Sequence, residues 1–385
     1  MNILIFNFEY PPLGGGGGVA TKQLAEALAD RHEIHVITTW YSGLALDELV
    51  GGVHVHRVRV IGRDSLPTAS IVSLMAFVPA AILRGWHLCR RTRFAVVNAQ
   101  FVVPSGLPAL VLSWLFDTPF VLSFIGGDLF DPSKGVSPHR HWWLRLIVRL
   151  VASRAEACTA ISEDTKRRAR ELHGVIKPIT VTHLGLMPAR VAVASRADLE
   201  LPERGSLFVS VGRLIPRKGY EALLTAWRGI TEANLVIIGT GPLREKLEGM
   251  IEKFNLAGRV QLLGYLKEEK KQQVLRAADA FVSASEHEGF GIVFLEAMEA
   301  GLPIVATDRG GHRDFLIEGE NAVFVPVGDE KRLRAAILRV SHEGRLREQM
   351  AGNNRKKVKL FYLDKTARRF EEVLKGAART YENRH

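Results

Sequence analysis

A chain of 385 residues, 47% apolar and 24% charged, has ordinary globular composition and exceeds one typical domain of ~100 to 200 residues, so two domains are expected. Hydrophobic periodicity persists through 35 glycines and 16 prolines, which excludes disordered and fibrous folds. The excess of 52 Lys/Arg over 41 Asp/Glu gives +11 and points to acidic partners; with no zinc-finger or RNP-type signature, nucleic acid is not an expected one.

The two cysteines, Cys89 and Cys158, fit neither a disulfide framework nor a zinc cluster. Met1 to Phe8 reads as a buried strand rather than a signal peptide, so a cytoplasmic location is expected.

In chain order, Ile3 to Phe8 predicts a strand, Val19 to Ala29 a helix and Glu33 to Thr39 a second strand, a βαβ opening. Ser65 to Leu83 is uncharged but interrupted by Pro67 and Pro79, and is expected as a buried or interfacial helix rather than a membrane span. Short β-rich runs follow at Ala95 to Asn98, Phe120 to Phe124, Ala157 to Ala160 and Ile179 to Thr182.

Between Arg57 and Arg154 twelve Lys/Arg face four Asp/Glu, and within Arg140 to Arg154 the helical spacing sets Arg145 and Arg149 opposite Leu146, Ile147 and Leu150, with Trp142 and Trp143 near the start. Two readings fit that helix equally: contact with an anionic membrane surface, or a solvated basic face on a helix that packs on its own sheet. Periodicity lapses from Met187 to Glu203, where a linker is expected. A second alternating series then has strands at Ser206 to Val211, Leu235 to Ile238, Val260 to Leu263, Ala280 to Ser283, Ile304 to Ala306 and Val323 to Val325. The expected class is α/β, with two Rossmann-like doubly wound parallel sheets.

Gly14 to Gly18 follow the first strand and precede a helix, where small residues let backbone N–H groups approach an anion. Gly15, Gly17 and Ala20 fit a dinucleotide fingerprint loosely, but the second strand ends Thr38-Thr39-Trp40 without the ribose-binding acid. Gly239-Thr240-Gly241 fails the same test. Walker A, Asp-x-Asp and His-Glu-x-x-His patterns are absent from the sequence, so neither metal nor cofactor is expected.

The strongest constellation is Val211 to Gly219, which sets Arg213 and Lys218 at the carboxyl end of a parallel strand, where open α/β sheets bind ligands. A guanidinium fork and a compact ammonium together suit a diphosphate. Glu288 and Glu296 straddle the start of a later helix. Glu296 lies among Ile292, Val293, Phe294, Leu295, Ala297 and Met298, so it is expected to be partly buried and to need either a ribose diol or an ion-pair partner. Gly289 and Gly291 free the chain to bring N–H groups against a sugar or phosphate.

These residues resemble the retaining glycosyltransferases of family 4, which have the GT-B architecture of two Rossmann-like domains facing a central cleft. The likeness spans nearly the whole chain: Tyr10-Pro-Pro-Leu-Gly14 to Gly18, Phe124-Ile-Gly-Gly-Asp128, Thr159-Ala-Ile-Ser162, Gly212-Arg-Leu-Ile-Pro-Arg-Lys-Gly219 and the Glu288/Glu296 pair. The resemblance implies that residues 1–187 form an acceptor-side domain, 188–365 a nucleotide-sugar domain, and 366–385 a helix that crosses back to the first.

It further implies that Arg213 and Lys218 hold the donor diphosphate, Glu296 the ribose, and Glu288 the donor sugar. Gly15, Gly16, Gly17 and Gly18 would reach diphosphate or acceptor from the first domain, with Tyr265 near the nucleobase. Gly212, Gly241, Gly289, Phe290, Gly291 and Ile292 would complete the substrate contacts.

Ile125 stands where many relatives carry His, leaving Asp128 either to assist the acceptor hydroxyl or to cap its turn. Thr182-His-Leu-Gly185 replaces the usual Pro-Asn-Gly, and Asp314 a common Glu. The implied activity is transfer of a sugar from a nucleotide-diphosphate sugar to a hydroxyl of a glycan or lipid-linked acceptor in cell-envelope or polysaccharide biosynthesis; the expected location is cytoplasmic, peripheral on the inner face of the membrane if the basic helix meets anionic lipid. A sugar-nucleotide epimerase of this architecture and a catalytically silent nucleotide-sugar-binding protein are the alternatives.

Overall fold

The computed structural model describes residues 1–63, 66, 69–133, 136–189 and 191–384. The chain forms two units, Met1–Gly185 with Leu363–His385, and Leu186–Tyr362. It changes unit after Gly185 and again after Tyr362, slightly ahead of the expected 187/188 and 365/366 boundaries.

The first unit opens with β1 (Asn2–Phe6), α1 (Gly16–Ala29) and β2 (Glu33–Thr39), followed by a hairpin of β3 (Asp47–Val50) and β4 (Val53–Val58). It continues through α2 (Ile71–Cys89), β5 (Val96–Gln100), α3 (Gly106–Leu115), β6 (Phe120–Phe124), α4 (Trp142–Arg154), β7 (Ala157–Ala160), α5 (Glu163–His173) and β8 (Ile179–Val181). Strand order is β3-β4-β2-β1-β5-β6-β7-β8, parallel except where β3 meets β4. All of β5 and β6 is buried, as a parallel sheet covered on both faces requires. Order reverses between β1 and β5, so the carboxyl ends there form a crevice.

The second unit contains β9 (Ser206–Val211), α6 (Tyr220–Trp227), β10 (Ala233–Ile238), α7 (Arg244–Lys253), β11 (Val260–Gly264), α8 (Glu268–Ala277), β12 (Ala280–Ser283), α9 (Ile292–Ala300), β13 (Ile304–Thr307), β14 (Ala322–Val325), α10 (Glu330–His342) and α11 (Gly344–Lys357). Its order, β11-β10-β9-β12-β13-β14, is parallel throughout and is the 3-2-1-4-5-6 order of a doubly wound nucleotide fold. Phe208, Trp227, Leu235, Ile237 and Val282 anchor its core.

The last helix, α12 (Leu363–Glu382), belongs to the first unit. Its Phe370, Leu374 and Ala377 enter the same core as Ile3, Ile5, Tyr10 and Leu28. Beside them Glu371 is buried, and accepts hydrogen bonds from Arg31 (2.7 Å) and His32 (2.9 Å) next to β2.

Three elements depart from expectation. The β3/β4 hairpin, turned by Gly51 and Gly52, extends the sheet edge and was not anticipated. Of the uncharged stretch, Ser65 and Pro67 lie outside the described residues; the helix starts at Ile71, capped by the Ser70 side chain, and runs to Cys89. It is long and apolar enough to cross a membrane by length and composition, and Ile71, Val72, Met75 and Leu83 are exposed rather than buried. In α4 the buried stripe is Leu144, Val148 and Val151, so Leu146 and Leu150 share the outer surface with Arg145 and Arg149 instead of opposing them.

Candidate active site

In the second unit strand order reverses between β9 and β12, and the loops leaving their carboxyl ends meet. Gly219 closes the β9 loop at φ 67°, and a Cβ there would lie 2.0 Å from the Ala284 carbonyl oxygen, so only glycine lets the two loops touch. The Glu286 N–H donates to the Arg217 carbonyl (2.8 Å), and Arg217 Nη1 donates to the His287 carbonyl (3.1 Å).

This close approach brings Lys218 and Glu288 together: the ammonium donates to Glu288 Oε1, as does the Ser285 hydroxyl (2.9 Å), while Arg217 stands 3.7 Å from Oε2. Burial opposes ionisation of Glu288, but the charges of Lys218 and Arg217 and the hydrogen bonds prevail and hold its carboxyl at about 2. It is therefore a permanent anion with two cations beside it. Arg213 is exposed, without a side-chain hydrogen bond or ion pair among the described residues. Arg217, Ser285 and His287 were not singled out from sequence; Arg217 lay inside the basic motif, and position in the loop decides its role.

Glu296 is buried on α9. Its Oε1 accepts from Lys271 of α8 (2.9 Å), and its Oε2 has no hydrogen-bond partner among the described residues. Burial raises its pKa against the pull of Lys271. The ion-pair partner and the need for a donor are thus both present, one on each oxygen. A buried acceptor left open is costly, and a hydroxyl donor from a ligand would satisfy it. Lys271 carried no periodicity or motif signal.

Other expected contact residues divide by role. Gly291 adopts φ 86° immediately before α9, where a Cβ would lie 2.5 Å from the Phe294 ring. The Phe290 ring turns into the core against Phe315 and Phe361, leaving its backbone, with that of Gly289 and Ile292, as what a ligand can meet. Gly241 packs its α-carbon against the Leu214 backbone, and Gly212 donates to the Ile238 carbonyl (3.0 Å), so both hold the β9 and β10 loops together. Tyr265 is exposed just beyond β11.

In the first unit Gly16, Gly17 and Gly18 form the first turn of α1, with Gly15 just ahead. Gly15 and Gly16 have open space where a Cβ would stand; Gly17 lies against Phe101 and Ile125, and Gly18 against the Glu9 carbonyl. The Gly15 N–H donates to the Glu9 carboxylate (3.2 Å), so the chain's own anion occupies part of the expected cradle. Nearby, at the carboxyl ends of β5 to β8, a cavity is lined by Gln100, Ser123, Ile125, Thr159, Thr182 and Thr366 among others. Asp128 is buried and both its oxygens are engaged, by the Val102 N–H (2.8 Å) and the Ile125 N–H (3.0 Å). Burial lifts its pKa to about 6 in spite of those bonds, and the geometry makes it a tie between two loops rather than a group aimed at an acceptor.

Family models match both units: "Glycosyl transferase 4-like domain" over residues 15–185 and "Glycosyl transferases group 1" over residues 193–357. An uncharacterized glycosyltransferase of Methanocaldococcus jannaschii is 30% identical over 382 residues, 99% of this chain and 98% of the relative. The chain belongs to the group 1 glycosyltransferase family. The lipopolysaccharide core biosynthesis glycosyltransferase LpsE of Rhizobium meliloti is 32% identical over 162 residues, 42% of this chain and 47% of that protein. The crystal structure of Anabaena HepE in complex with UDP-glucose has the same fold, with a TM-score of 0.74 at 17% identity over 98% of this chain and 100% of that one. This group 1 glycosyltransferase is an enzyme with GT-B architecture.

Proposed function

We propose that this glycosyltransferase moves a sugar, with retention of anomeric configuration, from a nucleoside diphosphate sugar to a hydroxyl of a glycan or lipid-linked acceptor of the cell envelope. The observation that carries the reading is the pairing of Lys218 and Arg217 around buried Glu288, within the loops of one switch point, together with the open Oε2 of Glu296. The UDP-glucose bound in HepE and the lipopolysaccharide role of LpsE support donor and acceptor class respectively. Relatives named as transferases support transfer over epimerisation or silent binding.

As the bond from the anomeric carbon to the diphosphate breaks, negative charge grows on the departing oxygen. Arg213, Arg217 and Lys218, placed beforehand, stabilise that charge more than they stabilise bound donor, which is the origin of rate enhancement. Lys218 exchanges part of its contact with Glu288 for a phosphate oxygen, and Glu288 accepts from donor-sugar hydroxyls. The acceptor hydroxyl forms the new bond on the same face, and its proton passes to the departing phosphate, so no protein carboxylate need act as nucleophile and no metal is required.

Exposed Trp142, Trp143, Leu146 and Leu150 beside Arg145 and Arg149 on α4, and exposed Ile71, Val72, Met75 and Leu83 on α2, support seating of the first unit on the anionic inner face of a membrane. The donor assignment is tested by a thermal-shift survey of UDP-, GDP- and ADP-sugars, since a bound ligand raises the melting temperature by mass action. Product analysis by NMR then reads the anomeric configuration. One donor should shift the melt and yield a retained linkage; no shift with any donor, or an inverted product, would refute the assignment.

A further inference from the structure

At the β2/β4 edge of the first sheet, well apart from the carboxyl-end cavity, one face carries an unusual set of titratable groups. Glu33 and His35 are two apart on β2, and His54 on β4 is the direct register partner of His35, so all three point to the same side. One ligand atom from each lies within 4.8 Å of the other two. His54 stacks on His35 with ring centroids 4.6 Å apart, and its nitrogens have no hydrogen-bond partner among the described residues.

Hydrogen bonds behind this face hold its rings in place. His56 Nδ1 lies 2.6 Å from the Asp47 carboxylate and 3.0 Å from Arg84 Nη2, which also grips that carboxylate. His56 Nε2 lies 3.0 Å from His35 Nδ1. The other nitrogen of His35, Nε2, faces the Glu33 carboxylate oxygen at 3.2 Å.

We propose that Glu33, His35 and His54 bind a borderline divalent cation of the zinc type. Imidazole nitrogens with one carboxylate suit that class, and ligand atoms around a tetrahedral ion stand roughly 3.3 Å apart, a spacing Glu33 and His35 already hold. His54 completes the set by turning out of its stack, which its lack of partners permits. The relay from His35 through His56 to Asp47 supplies the outer hydrogen bonds that orient a ligating imidazole. The three residues lie toward the amino ends of β2 and β4, so the ion pins two strands together and takes no part in sugar transfer.

The test uses untagged full-length protein freed of metal with a chelator and titrated with Co²⁺, then Zn²⁺. One equivalent of Co²⁺ should give visible d–d absorption, be displaced by Zn²⁺, and raise the melting temperature. His54→Ala and Glu33→Gln alter side chains that are not fully buried and should keep an unchanged circular dichroism spectrum while weakening binding at least ~100-fold, beyond the 10- to 100-fold cost of losing an outer contact. Wild-type protein that binds no Co²⁺, or binding that both variants leave unchanged, would overturn the proposal.

Discussion

Lys218 donates to the carboxylate of Glu288, 70 residues further along the chain, across the two loops that leave the switch point of the second sheet. The pair is therefore a product of topology, and each partner depends on the other. Lys218→Met and Glu288→Gln should each lower kcat by ~10²- to 10³-fold, the loss typical of removing one electrostatic contact to a developing anion. Release of nucleotide under saturating donor measures it, and near wild-type turnover in either variant would remove the pair from the mechanism. Arg213, exposed and without a side-chain partner among the described residues, should behave differently: Arg213→Ala weakens donor affinity without disturbing the fold.

Glu296 and Lys271 separate binding from stability. Glu296→Gln removes a charged acceptor at the open Oε2 position and should weaken nucleoside diphosphate binding by ~10- to 100-fold. Lys271→Met leaves a buried carboxylate without its cation, and should destabilise the second unit by ~3 to 5 kcal/mol. Calorimetric titration with UDP and urea unfolding read the two effects separately.

Glu371 gives the attachment of α12 an acid limit. Burial disfavours its charge, but hydrogen bonds from Arg31, Lys375 and His32 outweigh that penalty and hold its pKa at about 2 instead of 4.5. A depressed carboxyl stabilises the fold above its unfolded pKa, and the benefit is lost as pH falls through the folded value. The gap in urea midpoint between wild type and Glu371→Gln should thus be constant at neutral pH and close between about pH 4.5 and pH 2. A gap that does not narrow on acidification contradicts this assignment.

Gly219→Ala places a methyl group 2.0 Å from the Ala284 carbonyl at a positive φ, and should cost more than ~2 kcal/mol together with donor binding. Gly249→Ala, on the exposed face of α7 with nothing within 4 Å, should instead stabilise by up to about 1 kcal/mol. Thermal melts of the two variants distinguish contact geometry from a general effect of losing glycine.

Replacing Trp142 and Trp143 by Ser should reduce sedimentation with anionic vesicles at low salt, and raising the salt should weaken wild-type binding, because each basic residue near such a surface contributes only ~1 kcal/mol and is screened. Wild-type protein that stays in the supernatant at low salt would exclude this surface.

Both parallel sheets were legible because a strand buried on both faces must be largely apolar, as Ile3 to Phe6 and Leu235 to Ile238 are throughout. The β3/β4 hairpin was not, since Asp47 to Val50 lie half-exposed at the sheet edge and carry little apolar signal. Its Gly51-Gly52 turn between alternating residues was the clue available. At the site, cations and carboxylates could be found by their place after strands, but their partners could not. Lys271 reaches Glu296 from a neighbouring helix and Glu9 reaches Gly15 around a loop; neither contact has a local sequence pattern. The outward turn of Leu146 and Leu150 was missed because residues four apart share a face whether or not that face meets the core.

The return of α12 to the first unit also sets an order of events during synthesis. Phe370, Leu374 and Ala377 are translated after the whole second unit, yet they sit in the core built on Ile3 and Ile5, which are translated before it. The ribosome therefore delivers everything the inserted nucleotide-type unit requires while the first sheet still lacks one wall, and the unit that starts to emerge before the other completes its core after it.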